Sequence, residues 1–272
     1  AALGLWAAGV ASSVTAAEAT TASLTWSIGD EFGTGAARAN PTFDGHGEPT
    51  WHFLRTSTST GPVESRVWLR DGRYVPLEDS GERLFASSLD GWAFRVAQPL
   101  APAIGRVTER QDLGLVFEPG DILLAPGPDH AVVIAWRSPV AGRLDIEGTF
   151  EHGQSCCGVN SRVRWYVERG PAPDVARGFT PLPLASGESD FGTPSQRGRF
   201  EIRDLEVAAD DHLYFVVDAA ADGTATPHHG DATRFGVRLT VREPRWPPAP
   251  SFETDVLPIL ARHCHGCHGE DA

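Results

Sequence analysis

Residues 264 to 268 read Cys-His-Gly-Cys-His, and Cys264, Cys267 and His268 fit the spacing C-x-x-C-H by which a chain attaches haem c. On a helix, positions i, i+3 and i+4 share one face. The two sulfurs can therefore form thioethers to the haem vinyl groups while His268 offers its imidazole to the iron. The same residues leave other chemistry open. Tetrahedral zinc wants four ligands, and no second C-x-x-C or H-x-H pair follows; a disulfide between Cys264 and Cys267, or chance occurrence in a polar tail, needs no cofactor at all. His263 and His265 lie too close to the attachment point to reach the opposite face of a porphyrin. The chain contains no Met. A sixth ligand is therefore expected from another histidine or from residues beyond this sequence, and the motif reads as the opening of a haem domain that continues further.

Other clusters carry weaker chemistry. Asp218, Asp222 and Asp231 bracket a loop after an apolar strand, and hard oxygen ligands on one loop could hold Ca²⁺, although their spacing matches no EF-hand and solvated turn carboxylates look the same. His228 and His229 in that loop could meet a transition metal. Cys156 and Cys157 are adjacent, with Cα atoms about 3.8 Å apart across a trans peptide, so a bridge between them would be strained. A redox or copper-binding pair, free thiols and pairing with another chain all remain open there. No Ser-His-Asp order, nucleophile elbow or phosphate loop is present, and Asp210-Asp211 has no evident acid/base partner, so no catalytic constellation emerges. The chain reads as an electron carrier or a binding module. Among its eight tryptophans, Trp51, Trp68, Trp92, Trp136 and Trp165 lie in strand-like runs and belong to a core. Trp26 and Trp246 are the freer candidates for stacking on sugar rings.

The elements that position these groups follow from period and punctuation. Phe252, Val256, Ile259, Leu260 and His263 recur at helical spacing ahead of the motif, with Ser251 or Thr254 available as a cap and Pro258 in or near the first turn, where no helical partner is lost. Before them, Pro244 to Pro250 carries four prolines in seven residues and predicts a stiff extended spacer. Further upstream the period is two. Ser65–Arg70, Trp92–Val96, Val132–Trp136, Leu144–Phe150, Val163–Val167, Leu213–Val217 and Phe235–Val241 are short, rich in β-branched and aromatic residues, and bounded by turn formers. In the last of these Phe235, Val237, Leu239 and Val241 alternate with Arg234, Gly236, Arg238, Thr240 and Arg242, one buried face against one wet face. Asp71-Gly72 predicts a hairpin, Glu118-Pro119-Gly120-Asp121 separates two strands, and the Gly/Pro/Ser-rich stretch from Gly178 to Gly198 predicts a long loop.

The expected fold is mainly β: a jelly-roll-like antiparallel β-sandwich over residues 24–243, a Pro-rich linker at 244–250 and a short C-terminal α-helix within 251–272. An immunoglobulin type is disfavoured by the absence of its Cys-Trp-Cys spacing. With 272 residues and 41% apolar content a full core is available. The net charge of -13 opposes binding to nucleic acid. Residues 1–23 run from small apolar to small polar and resemble the tail of a secretory signal peptide, too short to span a bilayer. A periplasmic, secreted or cell-surface location follows, and agrees with haem attachment outside the cytoplasm.

Residues Phe252 to Gly269, FETDVLPILARHCHGCHG, resemble the start of a cytochrome c domain of the planctomycete type, found in large secreted bacterial proteins that also carry sandwich modules. That resemblance implies haem c on Cys264 and Cys267, His268 as axial iron ligand, electron transfer to a redox partner, and further domains. The stretches His130–Phe150 and Leu205–Ala219 are similar to non-catalytic jelly-roll modules of secreted proteins, some of which hold carbohydrate. An extracellular glycan is the partner this second resemblance implies.

Overall fold

Strands whose alternate residues are apolar bury one face, and strands apolar at every position bury both. The chain uses each kind for a different sheet. The structure, a computed structural model, describes residues 22–33, 39–57, 74–79, 89–94, 102–113, 115–127, 130–153, 162–173, 181–190, 198–219 and 231–264. Its strands are β1 (Ser23–Ser27), β2 (Thr42–Phe43), β3 (Pro49–Thr56), β4 (Tyr74–Pro76), β5 (Glu78–Asp79), β6 (Leu89–Ala93), β7 (Ala103–Val107), β8 (Gln111–Leu113) and β9 (Leu115–Phe117). Then come β10 (Ile122–Ala125), β11 (Val132–Arg137), β12 (Ala141–His152), β13 (Arg162–Gly170), β14 (Leu182–Asp190), β15 (Arg199–Val207), β16 (His212–Asp218) and β17 (Thr233–Arg245). A single turn of helix, α1 (Ile28–Glu31), follows β1, and a π-helical turn (Phe252–Val256) leads into α2 (Leu257–His263).

Two antiparallel sheets make the sandwich that the alternation predicts. The first runs β15-β12-β17-β10-β7-β6-β5, with β1 also paired to β17; the second runs β14-β13-β16-β11-β3-β2, with β4 on β3. A small β8-β9 ribbon stands outside both. Between the sheets lie Trp51 and Phe53 of β3, Ile134 and Trp136 of β11 and Phe215 of β16, facing Leu144, Ile146 and Phe150 of β12 and Leu239 and Val241 of β17. Aromatic rings interlock there: Phe53 stacks on Trp92 with centroids 4.0 Å apart, and Phe32 meets both edge-on. Each such ring removed from water contributes about 1.5–3 kcal/mol.

Several expected elements shift for physical reasons. The predicted loop over Gly178–Gly198 contains the nine-residue strand β14. Its composition misleads because an edge strand needs little apolar surface, and because Gly187 is there to admit the Trp165 ring, whose Cζ2 would lie 2.5 Å from an added Cβ. Pro183 sits where the β13-β14 register shifts, a position that needs no donor. The strand expected over Trp92–Val96 is paired over Leu89–Ala93, because Asp90-Gly91 is not a turn: a Cβ on Gly91 would be 2.0 Å from the Ile104 carbonyl oxygen of the neighbouring strand. β17 runs through Pro244 to Arg245, again past a register shift, and residues 246–250 have neither helix nor strand. The Glu118–Asp121 turn forms, with Gly120 at φ 102° and the Asp121 N–H donating to the Glu118 carbonyl at 3.0 Å. Ser65–Arg70, Asp71-Gly72, Val96 and the leader-like residues 1–21 lie outside the described residues.

Trp26, read from sequence as a free stacking ring, is core. It is 1% exposed, packs edge-on against Trp136 at 5.5 Å, and its indole N–H donates to Asp44 Oδ2 at 2.8 Å. The other oxygen of Asp44 accepts the backbone N–H groups of His46 and Glu48, each at 2.9 Å. Burial works against ionisation of Asp44, but the bonds from Trp26, Glu48 and His46 outweigh it and hold the carboxyl below its ordinary range. A depressed carboxylate stabilises the fold above its unfolded pKa and loses that contribution as pH falls through the folded value. Asp44→Ala should therefore cost about 1–3 kcal/mol in urea unfolding at neutral pH. The gap from wild type should narrow in acid; a gap that stays constant with pH would contradict this account of Asp44.

Candidate functional site

The second sheet has apolar residues on its outer face as well. Leu54 of β3, Val133 and Ala135 of β11, Tyr214 and Val216 of β16 and Tyr74 of β4 form a separate buried cluster there. At one end of this layer the apolar side chains give way to polar ones, and a groove of about 500 Å³ opens. His52 and Leu54 from β3 and His212 from β16 line it, walled by Tyr74, Val75 and Pro76 on one side and by Ala172 and Pro173 on another. Its volume lies within the range of small-molecule sites, about 300–1,000 Å³.

Each polar group in the groove is held by a specific contact. The tight turn between β15 and β16 sets Asp210 at φ 70°, a left-handed conformation that aspartate tolerates. The Asp210 N–H donates to the Ser138 carbonyl at 2.8 Å, and its carboxylate takes the Arg137 guanidinium through Nε at 2.8 Å and Nη2 at 2.5 Å. Arg137 also reaches Glu48 Oε2 at 3.4 Å. His212 Nδ1 is 2.8 Å from the Asp210 carbonyl oxygen, and the His52 and His212 rings lie with centroids 5.6 Å apart. The Tyr74 hydroxyl donates to the buried Glu168 at 3.4 Å, and its ring meets Tyr214 at 4.7 Å. Asn40 clamps the rim through the backbone of Phe53, accepting at 2.9 Å and donating at 2.7 Å. Of these residues only Asp210 is marked in the sequence, as half of the Asp210-Asp211 carboxylate pair, and the structure gives it Arg137 as partner. The available signal is narrow: His52 interrupts the apolar run Trp51-Phe53-Leu54, and Arg137 ends one apolar strand where His212 opens another at matched register.

The other residues singled out from sequence lie elsewhere. α2 forms with Ser251 as the cap of its leading turn, the Ser251 Oγ accepting from the Thr254 N–H at 3.5 Å and the Ser251 N–H donating to Asp255 Oδ2 at 2.7 Å. Cys264 is the C-cap of α2, its N–H donating to the Leu260 carbonyl at 2.8 Å. Phe252, Leu257 and Ile259 are exposed on this segment. Cys267 and His268 lie outside the described residues, as do Asp222, His228, His229, Cys156, Cys157 and Trp68. Asp218 ends β16 and Asp231 precedes β17, both buried; among the described residues no three histidine, cysteine or acidic side chains gather closely enough to hold a metal ion. Trp51, Trp92, Trp136 and Trp165 are core as expected, whereas Trp246 is 47% exposed with its ring edge-on to His46 at 5.5 Å. No helix among the described residues is long and apolar enough to cross a membrane.

Comparison with known proteins adds little. No protein family and no curated protein matches the chain. Among solved structures, a mutant of a family 29 carbohydrate-binding module complexed with mannohexaose aligns over 61% of this chain and 88% of its own, at 9% identity and a TM-score of 0.27. So loose a likeness carries no argument about ligand.

Beside Asp231, His152 is fully buried at the end of β12, with its backbone N–H donating to Ser189 Oγ at 3.0 Å and its Nε2 3.7 Å from Asp231 Oδ1. Burial lowers its pKa from 6.5, and the charges of Asp231 and Asp190 only partly oppose this. The unfolded chain then binds a proton that the folded one refuses, so stability falls as pH drops from about 6.5 toward the folded value. His152→Phe should flatten the loss of stability between neutral pH and mild acid, read from urea midpoints. An unchanged slope would assign the effect elsewhere.

Proposed function

We propose that the protein is a binding module whose groove on the second sheet holds a glycan chain. The observation that carries the reading is the groove's division into an apolar wall and a converging set of fixed polar groups. A sugar ring presents C–H faces and equatorial hydroxyls together. Leu54, Val75, Pro76 and Pro173 suit the former, and His52, His212 and the Arg137–Asp210 pair suit the latter. Because the polar groups are already tied to one another, little side-chain ordering remains to be done when the ligand arrives.

Retention on a panel of polysaccharide gels, followed by calorimetry, tests this. Arg137→Ala and His52→Ala should each weaken binding about tenfold, the loss of roughly 1.4 kcal/mol expected from one good polar contact. Trp246→Ala, outside the groove lining, should leave affinity unchanged. Absence of retention on every polysaccharide, or equal affinity in the groove variants, would reject the glycan reading.

A second reading is favoured by the capped helix that terminates at Cys264. We propose haem c on Cys264 and Cys267 with His268 toward the iron, in a periplasmic or secreted protein. Of this set Cys264 is the described member, and its place at the end of a helix flanked by exposed apolar side chains fits an attachment residue. Bound haem would supply one-electron transfer. The chain's own contribution is to fix the first sulfur and to begin an apolar surface. Coexpression with a haem-lyase system should give a covalent adduct by intact mass and peroxidase-stained gel, absent in Cys264→Ala/Cys267→Ala. A zinc ion in its place, or no adduct, would remove this reading and leave the groove untouched.

A further inference from the structure

The outer face of the first sheet is wet and densely charged, and four of its arginines are paired with carboxylates. Arg143 bonds Asp204 at 2.6 Å; Arg242 bonds Asp204 at 2.9 Å and Asp145 at 3.1 Å. Arg203 takes both Glu147 and Glu201, and Arg234 takes Glu151 and, at 3.3 Å, Asp121. The guanidinium groups of Arg199 on β15 and Arg238 on β17 have no hydrogen bond or ion pair with any described residue. Register makes this notable for Arg238, because Glu147 lies directly opposite it yet turns to Arg203 on the other side.

The two unneutralised guanidinium groups border a shallow groove of about 580 Å³ that also includes Ser27, Thr149 and Gly236. Gly236 forms an open floor. It lies mid-strand, where glycine costs stability, and a Cβ there would meet nothing nearer than Thr149 Oγ1 at 3.6 Å, so packing does not demand it. Register places Arg199 two strands from Gly236, and Arg238 two residues along from it. With strands about 4.8 Å apart and about 3.3 Å of rise per residue, the two arginine Cα atoms are roughly 12 Å apart.

We infer that this groove is a second binding site, for an acidic polysaccharide whose carboxylate or sulfate groups recur along the chain. Guanidinium forks match either group in a bidentate manner. Two cations carried on Cα atoms roughly 12 Å apart suit anionic groups that recur along a flexible sugar chain; duplex DNA, with one charge per about 1.7 Å, would bring most of its phosphates against a molecule of net charge -13. Glu147 and Glu201, which also border the groove, are engaged by Arg203 and leave the two free guanidinium groups dominant. The site is on the opposite side of the sandwich from the groove proposed above and does not depend on it.

Chromatography of the full chain at low ionic strength on immobilised polygalacturonate and on immobilised dextran sulfate tests the site and separates the two anionic groups. Wild type should be retained on at least one matrix and released by salt. Arg199→Gln and Arg238→Gln should each weaken binding about tenfold, and the double variant should wash through. Arg110→Gln removes the same charge from an exposed pair with Glu118 and should elute with wild type. Flow-through of wild type on both matrices, equal weakening by Arg110→Gln, or unchanged elution of the double variant would overturn the proposal. Tighter retention on a DNA matrix, lost in the double variant, would also overturn it. Loss of neutral-glycan binding in Arg137→Ala with acidic-glycan retention intact would show the two sites to be separate.

Discussion

A β-strand sends successive side chains to opposite faces, and in β3, β11 and β16 both faces are apolar. Trp51, Phe53, Ile134, Trp136 and Phe215 point into the space between the sheets, while Leu54, Val133, Ala135, Tyr214 and Val216 form a second buried layer behind them. The rest of the structure depends on this doubly buried sheet. A slip of one residue would drive Trp51 and Phe53 outward and place His52 in the core, so the pairing of β3 with β11 is tightly specified. The groove is a by-product of the same constraint. It opens where the outer apolar layer stops and His52, Arg137 and His212 occupy the outward positions.

The first sheet solves a different problem. Its inward positions on β12 and β17 are apolar, but its outward ones are Arg143, Asp145, Glu147, Glu151, Arg234, Arg238 and Arg242. Ion pairs this exposed add little to stability, because water screens them and the long side chains lose freedom in making them. Their stronger effect is on strand register and on discouraging association through the face. Asp204 illustrates the arrangement. It sits at φ 58° beside a β12-β15 register shift, its N–H donates to Asp145 at 2.8 Å, and its carboxylate receives Arg143 and Arg242, so the bulge is anchored from β12 and, beyond it, from β17.

What could be read from sequence was what a local pattern determines. Alternation from Phe235 to Val241 found β17, the continuous apolar runs found β11 and β16, and the Ser251 cap and the placement of Pro258 found the C-terminal helix. Features set by partners distant in the chain were not legible. Trp26 looks free because its hydrogen-bond acceptor, Asp44, is 18 residues away across a turn. β14 looks like a loop because the reason for Gly187 is the ring of Trp165 on the next strand. The groove draws on the segment before β2, on β3, β4 and β11, on the segment after β13 and on the turn into β16, parts of the chain that no window sees together. The C-x-x-C-H motif shows the reverse case, since it is plain in the sequence and only Cys264 of its two cysteines and final histidine falls within the described structure.

The two outer faces therefore differ in how they could recognise anything. On the second sheet, polar groups are fixed before a ligand arrives: Asp210 is fastened by its turn, Arg137 by Asp210 and Glu48, and His212 by the Asp210 carbonyl. Such an arrangement favours shape and hydroxyl geometry over charge, because its cation and anion already neutralise each other. On the first sheet the reverse holds: Arg199 and Arg238 keep their charge but have no described partner to fix their side chains. Recognition there would be governed by the spacing of anionic groups and weakened by salt. On the two proposals above, a plain polysaccharide would engage the groove of the second sheet by shape and an anionic one the arginines of the first sheet by charge, each without the other.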